Sequence, residues 1–260
     1  MPMRPIHLRG LLLALLAVFP ATAQEVPVTG SLQLFGRFNS GAKVERLTRK
    51  RFYLVPGSLQ DNKALIDRIH STEVESRDCY YSRVQASPQL ICWLQAENCE
   101  SPFCRKVVMQ DVESVPEFKA AYDKGLPLFG KKPNIAQDWL ASNLPPVFAN
   151  GYYREKDTLL KKLLADLKPV QSAMTSTEGE LNYLDIPLTI PSGKKGQTFT
   201  VSNILPVELG GKSYVWSCQV DVVPNKPNKL IIPDINKPRK TCDVWIRDLK
   251  VCKAGGCDQK

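Results

Sequence analysis

The chain has 260 residues, which is long enough for one large domain or two small ones with a proper hydrophobic core. Its 35 lysines and arginines outnumber its 26 aspartates and glutamates, and the net charge of +9 favours anionic partners such as phosphates or acidic polysaccharides. The sequence contains no arginine-rich tail and no nucleic-acid-binding signature, so we exclude a nucleic acid as the partner. A plain, solvated basic surface is the alternative interpretation of the charge.

The first 23 residues have the pattern of a secretory signal peptide. Arg4, His7 and Arg9 form a short positive start, residues 10–19 are almost unbroken apolar sequence, and Ala21-Thr22-Ala23 places small residues before a cleavage point. The apolar run has about ten residues, whereas a helix needs roughly 20 to span a bilayer. We therefore expect cleavage near Ala23, export to the periplasm or the exterior, and no transmembrane segment after cleavage. An uncleaved membrane anchor is the alternative.

Residues 24–57 are predicted to form the first strands of a β-structure. Apolar residues alternate with polar ones within 31–38, and turn-forming residues follow at 39–41. A second extended run, residues 44–55, ends at Pro56-Gly57. Two strands with a short connection predict a hairpin.

Five positive charges fall within nine residues at the second of these strands. Such a cluster is suited to docking a phosphate-bearing or carboxylate-bearing polymer of the cell envelope. The alternative is the charged outer face of an edge strand, which lysine and arginine protect from unwanted pairing. The candidate anion-binding residues are Lys43, Arg46, Arg49, Lys50 and Arg51.

Residues 58–168 are predicted to form a helical region of several short helices. Ser58 is placed to cap the first helix, Ser87-Pro88 to open the second, and Gly125 to end the third. In the last helix, five leucines between positions 159 and 167 form one stripe with charged residues opposite, which is typical of a core-facing surface. The other predicted helix starts are Pro116, Pro133-Asn134 and the segment after Pro145-Pro146.

Residues 169–236 return to the alternation that is typical of strands. The clearest runs are 198–201, 214–222 and 230–232, and glycine-containing and proline-containing turns separate them. We expect these to be the remaining strands of the same β-structure. Residues 237–260 are predicted to form a C-terminal tail with one more strand, held by cysteines.

All eight cysteines follow the predicted signal peptide, and an even number of cysteines in an oxidising compartment predicts disulfides. They fall into two groups of four, which indicates that each half of the chain is cross-linked within itself. We expect the pairs 79–92, 99–104, 218–242 and 252–257, although each group allows three pairings. A zinc site is the alternative, but no histidine lies near either group. The cysteines are Cys79, Cys92, Cys99, Cys104, Cys218, Cys242, Cys252 and Cys257.

The sequence offers no catalytic constellation, so we expect no catalytic residue, no metal and no cofactor. After signal cleavage the sole histidine is His70, and the cysteines are expected to be paired rather than nucleophilic. None of the common hydrolase, phosphate-binding or dinucleotide-binding motifs occurs. Scattered carboxylates leave a carboxylate-based hydrolase as the alternative. These carboxylates are Glu73, Glu75, Asp78, Glu97, Glu100, Asp111 and Glu113.

A set of aromatic residues has the chemistry to line a sugar or peptide groove. Burial in the core is the expected role for most of them, because large aromatic side chains dominate core packing. The set consists of Trp139, Tyr152, Tyr153, Trp216 and Trp245.

Two short segments resemble a known family. Thr175–Leu181 (TSTEGEL) resembles the T-D-x-x-G-x-F/Y turn of prealbumin-like domains, which include transthyretin-like and carboxypeptidase-regulatory-like domains. Gly196–Val201 (GQTFTV) resembles the family's G-x-Y-x-V strand start, and the predicted strand pair within 28–55 fits its opening pair. In this interpretation Gly179 supplies the positive φ of the tight turn. The chain departs from the family pattern at Ser176 and Leu181, in residues 188–195, and in the helical region 58–168.

The resemblance implies an α+β fold in which an antiparallel prealbumin-like β-sandwich is interrupted by a large all-α insertion and cross-linked by disulfides. It also implies a non-catalytic exported binding or structural protein, with the sandwich as scaffold and the insertion as the specific surface, although fold alone does not determine function. The expected partner is an envelope or extracellular component, an anionic one being a candidate. A Lys–Asn isopeptide cross-link, which some members form, has no convincing residue set here. The alternatives are an exported hydrolase that acts on envelope polymers through paired carboxylates, and two independent domains.

Overall fold

The computed structural model describes residues 28–40, 43–130, 132–190, 192–209, 211–235, 237, 239–250, 252 and 257. The predicted signal peptide, residues 1–23, lies outside the described residues. The described chain is a mixed α and β structure, and its elements follow the predicted order of strands, helices and strands. None of its described helices combines the length and the apolar character that a bilayer crossing needs.

The strands are β1 (Thr29–Phe35), β2 (Arg37–Ser40), β3 (Lys43–Arg46), β4 (Arg51–Pro56), β5 (Gln171–Met174), β6 (Glu180–Pro187), β7 (Gln197–Ser202), β8 (Val207–Leu209), β9 (Lys212–Val222), β10 (Pro227–Ile231) and β11 (Cys242–Asp248). The helices are α1 (Lys63–Ser71), α2 (Arg77–Arg83), α3 (Pro88–Ala96), α4 (Met109–Ser114), α5 (Pro116–Phe129), α6 (Pro133–Asn143), α7 (Pro146–Ala149) and α8 (Gly151–Leu163). All eight described helices lie between β4 and β5.

Two main sheets hold the strands. One has the order β11-β9-β7-β4-β5, with β8 also paired to β9, and the other has the order β10-β1-β6. Among the described strands, β1 and β10 pair parallel and the other pairs are antiparallel. The two sheets share one hydrophobic core, in which Leu32 and Leu34 of β1 lie with Phe52 of β4, Phe199 of β7 and Trp216 of β9.

The predicted hairpin between the first two long strands is wrong. β1 lies in the three-stranded sheet and β4 in the six-stranded sheet, and the hairpin is instead formed by β2 and β3. Gly36 separates β1 from β2, and its carbonyl accepts a hydrogen bond of 2.8 Å from the N–H of the buried Leu47. The chain therefore crosses from one sheet to the other around this small hairpin.

The turn around Gly179 confirms one detail of the sequence interpretation. Gly179 has a φ of +75°, the left-handed region that favours glycine. Its carbonyl accepts a 2.7 Å hydrogen bond from the N–H of Gly36, so the two glycines bring the β1–β2 connection against the turn before β6.

The helical region packs on the sheet through its first and last helices. Leu65 and Ile69 of α1 and Leu163 of α8 form a buried cluster with Tyr53 and Val215 on the six-stranded sheet. The predicted leucine stripe of the last helix is confirmed as a core face, because its other leucines pack against the same cluster. The remaining helices enclose a separate core of their own. Each fully buried side chain of this size contributes roughly 1.5–3 kcal/mol.

The predicted helix starts at Pro116, at Pro133 and after Pro145 are confirmed. Of the three predicted cap and stop residues, one is confirmed and two are wrong. The Ser87 hydroxyl accepts the Leu90 N–H at 3.1 Å, as predicted for the cap of α3. Ser58 does not cap a helix but forms a turn with Asp61, and α1 begins at Lys63. Gly125 does not end α5, which continues to Phe129. Gly125 instead allows close packing, since Trp139 lies 2.9 Å from where a Cβ would stand.

The four disulfides correct the predicted pairing. The pairs 99–104 and 218–242 are confirmed, whereas the other two bridges are 79–252 and 92–257. The prediction that each half is cross-linked within itself is therefore wrong. The physical reason is the position of β11, which runs antiparallel along β9. The residues after β11 therefore lie beside the helical region, where Cys252 bonds to Cys79 of α2 and Cys257 to Cys92 of α3. All eight cysteines are paired, so none is left as a thiolate for the zinc alternative.

Candidate functional site

A short disulfide loop, residues 99–104, connects α3 to the segment before α4 and is held firmly at its base. The Cys99–Cys104 bridge closes it over a sequence separation of 5. The buried guanidinium of Arg77 donates hydrogen bonds to the carbonyls of Leu94 (3.2 Å) and Cys99 (2.9 Å). These bonds satisfy carbonyls at the end of α3, so the position of the loop is set by buried polar contacts.

The loop is also anchored through Glu100, which points inward. Its carboxylate forms ion pairs with Lys156 of α8 (3.0 Å) and Lys50 beside β4 (3.3 Å), and the three side chains are only 10–13% exposed. Burial raises the pKa of Glu100, but the charges of Lys156 and Lys50 outweigh that effect and lower the pKa to about 2. The three charges therefore join the loop, the sheet and the last helix.

A second buried carboxylate lies next to this cluster. Glu208 of β8 accepts hydrogen bonds from the hydroxyl of Tyr152 (2.8 Å) and from the backbone N–H of Arg77 (2.7 Å). Its other oxygen has no hydrogen-bond partner among the described residues. Burial raises the pKa of Glu208, the opposite shift to that of Glu100. The hydrogen bonds of Glu208 thus join β8 of the six-stranded sheet to α2 and α8 of the helical region.

On its outer side the loop borders a groove of about 360 Å³, within the size range of ligand sites. Arg49 precedes β4 and adopts a φ of +53°. Its guanidinium reaches the groove and donates a 2.6 Å hydrogen bond to the Cys104 carbonyl. Phe103 stands at the rim with 46% of its surface exposed. The lining residues are Arg49, Pro102, Phe103, Arg105, Lys106, Val107, Gln137, Asp138, Leu140, Ala141 and Leu144.

The three basic side chains of the groove differ in their availability. Arg105 is neutralised by Glu97 (2.9 Å) and Asp111 (2.7 Å), so its role is structural. Arg49 and Lys106 form no ion pair with a carboxylate of the described residues. The groove therefore offers two cations without an ion-pair partner, Arg49 and Lys106, one exposed carboxylate, Asp138, and an apolar floor. This composition suits an extended ligand that combines apolar and anionic groups.

The predicted anion-binding cluster does not converge on one site. Arg46 is ion-paired with Glu178, Lys50 turns inward to Glu100, and Arg51 donates to the Ser172 hydroxyl at 3.2 Å. Lys43 lies in β3, and its side chain falls outside the described residues. Only Arg49 lines the groove. Sequence reasoning missed Phe103 and Lys106, although the C-x4-C spacing marks the loop beside them.

The scattered carboxylates named from the sequence are mostly engaged in structural contacts. Glu75 pairs with Arg83 at 2.7 Å, and Asp78 with Arg77 at 2.8 Å. Glu100 holds the loop, Glu97 and Asp111 pair with Arg105, and Glu73 and Glu113 are exposed. These seven side chains therefore do not form a pair of free carboxylates across the groove.

A second groove, of about 450 Å³, contains two other carboxylates. Asp61 and Asp221 line it together with Lys194 and Lys195. Asp221 accepts a 2.6 Å hydrogen bond from the Thr198 hydroxyl. Asp61 is held in the turn by Ser58, and the hydrolase alternative can be tested at this pair of carboxylates.

His70 and the aromatic set lie elsewhere. His70 stacks on Trp245 with ring centroids 5.0 Å apart, and its Nε2 lies 3.1 Å from Asp243. Trp216 and Tyr152 are buried, as expected for core residues, whereas Tyr153 is 44% exposed. None of the five aromatic residues lines the groove beside the disulfide loop.

No protein-family model, no curated protein and no solved structure matches this chain. The prealbumin-like resemblance is therefore carried by the quoted residues alone.

Proposed function

We propose that the protein is a non-catalytic exported binding protein, in which a prealbumin-like β-sandwich is the scaffold and the helical insertion provides the specific surface. The binding site is the groove beside the Cys99–Cys104 loop, and its ligand is an extended segment of an envelope or extracellular partner that carries acidic and apolar groups. The observation that carries this proposal is the meeting of Arg49, from the strand region, with Phe103 and Lys106, from the helical region, in one groove.

The scaffold part of the proposal has three supports. The two sheets share one core, all described helices fall between two strands, and Gly179 has the backbone conformation that the resemblance requires. The export part is supported by the N-terminal signal pattern and by four disulfides, since such bonds persist in oxidising compartments.

The binding part is supported by the rigidity of the loop. A site whose loop is already fixed by a disulfide and by buried ion pairs loses little conformational entropy when a ligand binds. Because no described carboxylate forms an ion pair with Arg49 or Lys106, an anionic ligand gains their attraction without breaking an ion pair.

The test is a binding measurement with the oxidised chain from residue 24 onward. The probes are a display library of extended peptides rich in acidic and aromatic residues and, in a separate arm, an acidic polysaccharide. Peptides selected by the wild type are then titrated against Arg49→Gln/Lys106→Gln. We expect at least about tenfold weaker binding, because two charge-assisted contacts are lost, and a decrease with added salt.

The matched control is Lys63→Gln/Lys161→Gln, which removes the same charge from exposed helical positions outside the groove. An equal loss of binding in this control, or selection of no peptide, would overturn the proposal. Selection of the polysaccharide alone would redirect it to a sugar ligand. Cleavage of a probe that Asp221→Asn abolishes would support the hydrolase alternative, which the two carboxylates of the second groove favour.

A further inference from the structure

β11 is the last strand of the six-stranded sheet, so one of its edges has no strand partner among the described residues. An open edge presents a row of backbone donors and acceptors to any chain that approaches it. β11 is 7 residues long, and its Ile246 side chain is 38% exposed. Which strand can pair with β11 at this open edge depends on which of its backbone and side-chain groups face outward.

The pattern of β11 against β9 shows which backbone groups face outward. Cys218 and Cys242 lie directly opposite each other with Cα atoms 4.0 Å apart, as in a pair without mutual hydrogen bonds. The neighbouring pair is hydrogen-bonded, since the Gln219 N–H donates to the Thr241 carbonyl at 2.6 Å. Alternation along the strand then turns the N–H and C=O groups of Val244 and Ile246 toward the open edge.

The sequence of this edge, Asp243-Val-Trp-Ile-Arg247, is self-complementary. When two copies of β11 lie antiparallel with Trp245 opposite its own copy, Asp243 of each faces Arg247 of the other, and Val244 faces Ile246. Opposite charges and β-branched side chains are favourable cross-strand pairs. The two-fold symmetry creates each of these pairs twice.

The hydrogen-bond pattern allows this register and disfavours its neighbours. Outward-facing residues must lie opposite each other, so only shifts by two residues are available. In the register centred on Trp245, Val244 and Ile246 form the hydrogen-bonded pairs. A shift by two places Asp243 or Arg247 opposite Trp245, which loses both charge pairs. The unshifted register also puts Asp243 and Arg247 in the closer type of pair.

The two charged side chains are held in place by α1. Asp243 contacts His70 Nε2 through Oδ2, and Arg247 donates to the His70 carbonyl at 2.6 Å and lies over the Trp245 ring at 4.2 Å. No described residue bonds Asp243 Oδ1 or Arg247 Nη1, so one atom of each remains for a partner. We infer that two copies of this chain associate through antiparallel pairing of β11, which joins their six-stranded sheets into one.

The test is the oligomeric state of the oxidised chain from residue 24 onward, measured by sedimentation and by light scattering over a dilution series. Wild type is expected to form a dimer. Asp243→Arg and Arg247→Asp each replace two opposite-charge pairs with like-charge pairs, so each is expected to weaken the dimer by about tenfold or more. The double variant Asp243→Arg/Arg247→Asp restores both pairs and is expected to recover most of the wild-type affinity.

A backbone test is independent of these charges. Ile246→Pro removes an outward N–H and is expected to abolish the dimer, whereas Ile231→Pro, on the edge strand of the other sheet, is the matched control. Disulfide mapping and melting temperature confirm that each variant is folded. A monomeric wild type at roughly 100 µM would overturn the inference. So would single reversals that dimerise like wild type, or a folded double variant that fails to recover.

Discussion

Replacing Glu100 by glutamine tests whether the buried charge cluster anchors the disulfide loop. The substitution keeps the shape of the side chain but leaves Lys50 and Lys156 without a counter-charge in a mostly buried site. The pKa of Glu100 falls from its ordinary value of 4.5 to about 2, which corresponds to roughly 3 kcal/mol of stability at neutral pH. We therefore expect Glu100→Gln to lower the free energy of unfolding by about 3 kcal/mol at pH 7, the size seen when one partner of a buried pair is removed.

The sign of the pH dependence follows from the direction of this shift. A carboxylate whose folded-state pKa is lowered stabilises the protein above the unfolded-state pKa, and the contribution disappears as the pH falls through the folded-state pKa. The difference between wild type and Glu100→Gln should therefore shrink to about 2 kcal/mol at pH 3.5 and to less than about 1 kcal/mol at pH 2. The measurement is urea unfolding with intact disulfides, followed by tryptophan fluorescence at each pH.

Glu97→Gln is the matched control, because it removes the same charge just before the same loop from a side chain that is 36% exposed. Its partner Arg105 keeps Asp111, so we expect a change of about 1 kcal/mol or less. The reasoning would be refuted if the two variants were equally stable at pH 7, or if the loss in Glu100→Gln were the same at pH 7 and pH 2.

Two further predictions concern the covalent and backbone constraints. Removing the 79–252 bridge with serines should lower the free energy of unfolding by about 3 kcal/mol, because the 92–257 bridge still closes the long loop and leaves only about 18 residues to constrain. Removing both the 79–252 and the 92–257 bridge should lower the free energy of unfolding, measured in urea, by more than twice as much as removing the 79–252 bridge alone. Equal losses in the single-bridge and double-bridge variants would contradict this account. Gly179→Ala should cost more than about 1 kcal/mol, since φ is +75° and the new Cβ would lie 2.7 Å from a carbonyl oxygen. Gly193→Ala, with a φ of +77° and no atom within 4 Å, is the control and should cost less.

Local features of the fold were predictable from the sequence, whereas long-range pairings were not. The strands at 198–201 and 214–222, the Ser87 cap and the positive φ of Gly179 follow from side-chain alternation and turn chemistry within a few residues. The hairpin prediction failed because adjacent strands were assumed to pair. The choice of β7 and β5 as the neighbours of β4 depends on contacts more than a hundred residues apart.

In the candidate site, too, local features were predictable from the sequence and long-range contacts were not. The cluster of positive charges in the sequence contains Arg49, but it does not distinguish Arg49 from its neighbours. In the structure Lys50 is buried against Glu100, and Arg46 is ion-paired with Glu178. Which cation remains available depends on where the carboxylates of distant segments lie. Phe103 and Lys106 become recognisable only when the disulfide loop is placed beside α6. No short sequence pattern contains that placement.

The disulfide pairing that sequence reasoning missed also bears on how the groove would work. The bridges 79–252 and 92–257 attach the helical region to the segment that follows β11, and the Glu100 cluster attaches it to β4 from another direction. The groove is thereby tied to the strand through which two copies are inferred to pair. A dimer of this kind would present two grooves at a set distance and orientation. Such a pair binds a repetitive partner far more tightly than one groove does, because the second contact is intramolecular. The charge-reversal variants that separate the dimer should therefore weaken binding to a polymeric or surface-bound ligand while leaving the affinity for a single short peptide unchanged.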